Sequence, residues 1–503
     1  MNCSRSAGEK AAAKLYGTVR RFKLPIFSSL ISGLMAYLFV FTNKLLNLDE
    51  ISGLFAKGSS ISSGRWALWL SSWIFPDVSM PWINGMLSLL MLTAAVCIVI
   101  RVFEIKNPVF QLLLSCLMVV FPSQAVTFTY MFTCAPYALA VLLAAGSVYF
   151  TLYKRKWGVA LGAVLLALSL GIYQAYLSLA VSLYLVYLIK RIIEDEWEIR
   201  DILRCGLRCI IGLGAGLVLY FVINKIFMAV SGTEYNSYAD ASFQTDLKSV
   251  LFGLRVAFTA FFGYFYRGYY DLVPTVFSEI LHIACALIIG FELVYYMVKA
   301  KNKKRALLLA VCLLLLPFGV NCLYIVSALR HTLMLYSFVA VYVLAAVAAE
   351  RLMADRHFAL RDIISAAMAL IVACNILYAN KLYLKMKLEY ENAYSFYQTL
   401  VTRIKSCPGF DGDTMVLISG DADNLLHEST EIDTSNLVGV MEGLINVYSR
   451  GDFLTYYTGF CPPAPDWEDW EKSGGSEELA KMPEYPYDGS VKKIGNFVVV
   501  KLG

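Results

Sequence analysis

Long apolar runs recur from near the start of the chain to about residue 379, and they constrain the fold more than any other feature. In hydrocarbon no water is present to satisfy backbone N–H and C=O groups, so a run buried there must close its hydrogen bonds internally, as an α-helix does. The first run, Pro25 to Leu46, rises about 1.5 Å per helical residue and so covers the roughly 30 Å of a bilayer core. Similar runs stand at Trp82 to Ile100, Pro108 to Val126, Cys134 to Tyr153, Cys209 to Val230, Thr275 to Val298, Ala306 to Val326, Leu333 to Ala349 and Asp362 to Tyr378. Gly158 to Ile189 is too long for one ordinary crossing, and a glycine with polar groups interrupts it at Gly171-Ile172-Tyr173-Gln174-Ala175-Tyr176, so it divides into two short spans. With 58% hydrophobic and 16% charged residues and a mean hydropathy of +0.61, 503 residues do not make a water-soluble globule. The expected fold is an α-helical polytopic membrane protein with about eleven transmembrane helices.

Basic residues orient the spans. Arg5, Lys10, Lys14, Arg20, Arg21 and Lys23 precede the first run and no small-residue cleavage site follows it, so residues 1–24 read as a cytoplasmic tail and not as a cleaved signal. Lys154-Arg155-Lys156, Lys299 to Arg305 and Arg351 to Arg361 fall at the turns expected inside, and Lys190 to Arg208 reads as an amphipathic segment along the inner surface. Eleven crossings then leave the C-terminus outside. The expected arrangement is a multi-pass protein of the cell membrane: a transmembrane domain over residues 25–379, with outer loops at 47–81 and 231–274, and an extracytoplasmic domain over 380–503.

That last region has a different composition. From Asn380 onward eleven Lys and Arg stand against nineteen Asp and Glu, a balance of −8, which leaves +13 for the remainder. Its pattern is that of a small α/β unit: a helix near Tyr383 to Ile404, a strand at Thr414 to Ser419, a helix around Asn436 to Tyr448, a loop from Cys461 to Tyr487 and a closing strand at Asn496 to Leu502. Of the 12 cysteines only Cys407 and Cys461 fall in it, and a disulfide between them or two free thiols are both open. No CxxC, HExxH or Gly-rich phosphate loop occurs, which argues against a built metal site and against a nucleotide-binding one.

The stretch Asn47 to Trp66, directly after the first run, concentrates the chemistry. Asp49 and Glu50 stand where a membrane helix meets water, able to stay ionised within reach of lipid headgroups. A carboxylate there suits a general base, and a guanidinium suits a lipid phosphate better than an ammonium does because its planar donors bind two oxygens at once. Arg65, Arg267 and Arg330 are the candidates on the outer side, where the positive-inside bias leaves few basic residues. Trp66, Tyr173, Gln174, Tyr235 and Asn236 offer ring faces and amides for a sugar or an acceptor glycan. Each has an ordinary alternative: a solvated helix exit for the acids, interfacial anchoring for Arg65 with Trp66, a cation–π contact for Arg267 among its tyrosines, a cap for Arg330, and a satisfied outer turn for Tyr173 and Gln174.

Taken together, Asp49-Glu50 after the first span, Ser63-Gly64-Arg65-Trp66, the SLGIYQAY stretch from Ser169 to Tyr176 and the extracytoplasmic C-terminal region resemble the bacterial integral-membrane glucosyltransferases of the O-antigen-modifying type, members of the GT-C class. The resemblance implies transfer of a hexose, glucose in that family, from a polyprenyl-phosphate carrier to a cell-surface glycan on the outer face of the membrane. The partners it implies are the lipid-linked donor, the glycan acceptor and the bilayer, without nucleic acid. It makes Asp49 the base, with Glu50 orienting the acceptor or holding a divalent cation, Mg²⁺ or Mn²⁺. The family usually shows two aspartates, so Glu50 leaves the division of labour open. A polysaccharide polymerase or ligase would also join lipid-linked sugars outside. A lipid-linked oligosaccharide flippase or transporter would show repeat symmetry or paired charges at mid-membrane, whereas these spans are almost free of charge.

Overall fold

A computed structural model of the chain describes residues 16–54, 61–71, 73–75, 78–154, 156–235, 246–266, 275–300, 302–327, 331–354, 357–422, 426 and 445–503. The chain forms two compact units, one from Met1–Asn43 with Ala56–Asn380 and the other from Lys44–Phe55 with Lys381–Gly503.

The first unit is helical. Its principal helices are α1 (Lys23–Thr42), α3 (Trp66–Ser71), α4 (Pro81–Phe103), α5 (Pro108–Val119), α6 (Pro122–Thr127), α7 (Cys134–Tyr153), α8 (Gly158–Ile172), α9 (Tyr176–Ile193), α10 (Ile199–Ser231), α11 (Leu247–Tyr266), α12 (Val276–Lys299), α13 (Lys303–Val320) and α14 (Val339–Ala354), followed by the start of α15 (Phe358–Lys405). Among the described residues, ten segments are long and apolar enough to cross a membrane. The chain is a multi-pass membrane protein.

Apolar packing gains little between helices that lipid would solvate equally well, so polar contacts across helices carry much of the specificity. Pro122 has no N–H to bond the carbonyl of Met118, one turn back. The Tyr336 hydroxyl donates to that carbonyl at 2.9 Å, and the Tyr37 hydroxyl donates to the neighbouring Val119 carbonyl at 2.9 Å. Asn84 Nδ2 likewise donates to the Met131 carbonyl at 3.1 Å, and Ser169 Oγ to the Ala140 carbonyl at 2.7 Å.

Two loop expectations give way. Residues 231–274 do not form a simple outer loop, because α11 occupies their middle; Lys248 and Arg255 interrupt its apolar run enough to hide it in the sequence. Gly253 lies against the backbone of Tyr324 and Ile325, Asn321 Nδ2 donates to the Ala257 carbonyl at 3.0 Å, and Tyr264 shares a 2.6 Å hydrogen bond with Tyr342. Nor is Lys190 to Arg208 one continuous amphipathic segment: α9 runs to Ile193 and α10 resumes at Ile199. Lys190 and Arg191 turn inward instead, 3.2 and 3.1 Å from Glu104, with Glu194 closing the cluster. Partial burial opposes ionisation of Glu104, but the two cations outweigh it and hold the carboxyl below its usual range.

The second unit is built on the end of α15 and a three-stranded sheet, β1 (Met415–Ser419), β2 (Val491–Ile494) and β3 (Phe497–Lys501), in the order β1-β3-β2. β1 and β3 are parallel, with Met415 opposite Phe497, and β2 and β3 are antiparallel, with Val491 opposite Val500. Successive strand residues face opposite sides. Val498 and Val500 therefore pack with Tyr397, Leu400 and Ile404 of α15, while Phe497 and Val499 pack with Trp470, Met482 and Ile494. Leu46 and Ile51 join the first of these cores, which is why α1 ends at Thr42 and not at Leu46.

Cys461 to Tyr487 is more than a loop, since it holds α17 (Trp467–Lys472) and α18 (Gly475–Lys481) after the short α16 (Arg450–Phe453). Asp466 caps α17 by accepting from the backbone N–H groups of Glu468 and Asp469 at 3.0 and 3.3 Å. The helix expected around Asn436 to Tyr448 falls mostly outside the described residues, and residues 447–449 form a turn.

Candidate active site

Five of the residues singled out in the sequence come together in the first unit, around Gly64. A 3₁₀ turn, Ile61–Ser63, leads into Gly64 at φ +73°, then Arg65 and α3. The left-handed backbone favours glycine, and space demands it too: a Cβ would lie 2.8 Å from the Tyr220 hydroxyl and 3.0 Å from Gln174 Nε2. Tyr220 donates to the Gly64 carbonyl at 3.1 Å, while Gln174 Nε2 donates to the Ser63 carbonyl at 2.9 Å and to the Tyr220 hydroxyl at 3.1 Å. Gln174 and Tyr173 occupy the break between α8 and α9, where a chain interrupted in mid-run needs polar partners.

Arg65 is held by two tyrosines. One terminal nitrogen donates to the Tyr137 hydroxyl at 3.2 Å, and the guanidinium stands 5.1 Å from the centre of the Tyr173 ring. Those two rings stack on each other at 4.7 Å and 8°, so they form one rigid wall for the cation. Trp66 is a core residue at 2% exposure, stacked on Phe227 at 5.5 Å and pressed against Gly171. Tyr235 receives a hydrogen bond from Asn224 Nδ2 at 2.7 Å. Tyr137, Tyr220 and Asn224 did not stand out in the sequence; the only signal for the last two is their spacing of one helical turn within an apolar run.

The acidic pair belongs to the second unit. Its five-residue helix α2 (Leu48–Ser52) is capped by Asn47, whose side chain accepts from the Glu50 N–H at 2.7 Å. Neighbours on a helix point about 100° apart, and the two acids separate accordingly. Asp49 is exposed, whereas Glu50 is fully buried and ion-paired with Lys44. Burial, and next the Glu50 charge, push the Tyr457 phenol above its usual range. The stretch Asn47 to Trp66 is thus divided, its acids folding with one unit and its Arg-Trp pair with the other.

Asn236, Arg267 and Arg330 lie outside the described residues. Cys407 and Cys461 are both free thiols, the first half-buried against the core under β3 and the second exposed, so the disulfide alternative is set aside. No group of three or more His, Cys, Asp or Glu side chains is arranged to hold a metal among the described residues.

The family model described as Glucosyl transferase GtrII matches residues 38–349. The chain belongs to this family. It is a glucosyltransferase, and the match takes in Asp49, Arg65 and its tyrosines, Gln174 and Asn224, while the strands of the second unit lie beyond it. No curated protein and no solved structure matches the chain.

Proposed function

We propose that this glucosyltransferase takes glucose from a polyprenyl-phosphate carrier and transfers it to a cell-surface glycan on the outer face of the membrane, with the second unit extracytoplasmic. The observation that carries the reading is the guanidinium of Arg65, held by the stacked Tyr137 and Tyr173 within the stretch that the family match covers. A lipid phosphate is the leaving group with which a fixed, planar cation pairs best, and the charge it gathers as the anomeric bond breaks is what the cation stabilises. Asp49, exposed on α2, is the general base that takes the acceptor hydroxyl's proton as that oxygen attacks the anomeric carbon. Glu50 is assigned a supporting role, because its ion pair with Lys44 fixes the helix that presents Asp49.

The test supplies membranes containing the protein with a glucose-accepting glycan and either polyprenyl-phosphate glucose or a nucleotide-linked glucose. Transfer is expected from the lipid donor alone; transfer from the nucleotide sugar with no lipid intermediate would sink the reading. Arg65→Lys keeps the charge and loses the planar fork, so transfer from the lipid donor should fall roughly tenfold to a hundredfold, the value of a charge-assisted hydrogen bond.

A further inference from the structure

Asn224 is 1% exposed, and the two ends of its carboxamide differ. Nδ2 donates to the Tyr235 hydroxyl at 2.7 Å and approaches Met228 Sδ at 3.4 Å, whereas Oδ1 has no hydrogen-bond partner among the described residues. A buried amide oxygen without a donor is costly, so native proteins supply it with a water or a ligand. Trp66 Nε1, two residues past Gly64, is likewise buried without a partner among the described residues. Both belong to the neighbourhood of Arg65: a Cβ on Gly64 would lie 3.8 Å from Asn224 Oδ1, and Phe227, one turn along α10 from Asn224, stacks on Trp66.

Tyr235 is the surface residue at this place. It lies beyond the end of α10 and is 39% exposed, yet its phenol reaches back to Asn224. Asn224 therefore offers a donor nitrogen, engaged by an aromatic hydroxyl from the surface and by a thioether, and an acceptor oxygen, unused among the described residues. That is the pattern with which a carboxamide binds adjacent hydroxyls of a hexose, one accepting and one donating.

We propose that Asn224 recognises the glucose of the lipid-linked donor, and that the Tyr235 hydroxyl stands where a sugar hydroxyl binds, so that glucose displaces it. This rests on Arg65 as the phosphate-binding residue, since it places the sugar beside the group that holds the phosphate. Tyr220 and Gln174 act as positioning residues, fixing the Ser63-Gly64 backbone between Arg65 and Asn224.

The experiment uses the full chain in detergent and two probes, a short polyprenyl-phosphate glucose and the same polyprenyl phosphate without sugar. Asn224→Ala should weaken the glucosylated lipid about tenfold, as for one lost hydrogen bond, and leave the bare lipid unchanged. Tyr235→Phe removes the competing hydroxyl at an exposed residue that does not endanger folding, and should tighten the glucosylated lipid roughly twofold to fivefold. If Asn224→Ala weakens both lipids equally or neither, or if Tyr235→Phe weakens the glucosylated one, the proposal is overturned. Arg65→Lys separates the two readings: if it leaves the bare lipid's affinity unchanged, the phosphate assignment fails, whatever Asn224 does to the sugar.

Discussion

Arg65 and Asp49 are sixteen positions apart, yet different physics holds each in place. In the membrane unit Arg65 is fixed by polar contacts gathered from α7, the α8–α9 break and α10, with apolar packing acting mainly as shape. In the second unit Asp49 rides on a five-residue helix too short to be stable alone, held by Leu46 and Ile51 in an ordinary apolar core and by the ion pair of buried Glu50 with half-buried Lys44. Substitutions around Arg65 should therefore act through geometry, and substitutions around Asp49 either through chemistry or through the folding of its support.

The comparison breaks most completely if the second unit is not one body. Because Lys44–Phe55 and Lys381–Gly503 fold together, the chain between them must cross the bilayer an even number of times. Among the described residues nine of the ten candidate spans follow Asn43, and the apolar helices α8 and α13 bring such stretches to eleven, so an even number of crossings requires that at least one of them stays on one side. We expect that helix to be α11, which passes Ile325 and Asn321 and ends with Tyr264 beside His282 and Tyr342. Single cysteines at Thr233 and Val276, in a background without other thiols, should label with an impermeant reagent from the same side. Labelling from opposite sides would make α11 a crossing and separate the two halves of the second unit.

Next in size is Asp49→Asn. The amide is nearly isosteric and the residue is exposed, so the protein should keep its stability while transfer falls about 10²- to 10⁴-fold, the usual worth of a general base. Wild-type turnover in a lipid-donor assay would remove Asp49 from the chemistry. Glu50→Gln should do the reverse. Breaking a fully buried pair costs about 3–5 kcal/mol, and here roughly 2–3, because Lys44 is one-quarter exposed and can recover some hydration. Thermal unfolding should register that loss, and Lys44→Met combined with Glu50→Leu should recover part of it. A Glu50→Gln protein of normal stability but without transfer would instead give Glu50 the catalytic role.

The spans were legible because lipid imposes a composition code: Cys134–Tyr153 falls where the apolar run placed it, and Pro108 opens a helix after the Asn107 cap as its fixed φ suggests. β2 was not, since Val491-Lys492-Lys493-Ile494 carries two lysines and owes its place to pairing with β3. The division of Asn47 to Trp66 was not legible either, because nothing local to residues 44–55 announces that their apolar partners, Tyr397 and Val498, lie several hundred residues away. Asp49 and Arg65 stood out because charge at a span's end is conspicuous. Asn224 and Tyr220 did not, because an amide and a phenol inside an apolar run look like ordinary helix packing until their partners are known.

The smallest effect sharpens the comparison most, because it touches no charged or reacting group. Gly64→Ala forces a side chain into a left-handed backbone at φ +73°, which costs about 1–2 kcal/mol for an L-residue. Its methyl would also press on the Tyr220 hydroxyl and Gln174 Nε2, the groups that fix the backbone before Arg65. In a unit whose site is held by geometry, that strain should pass into a shifted Arg65, seen as a transfer rate some tenfold lower at an almost unchanged melting temperature. If the strain appeared as lost stability with normal transfer, Arg65 would be tolerant of its frame, and the contrast with Asp49 would reduce to a difference in surroundings without consequence for the reaction.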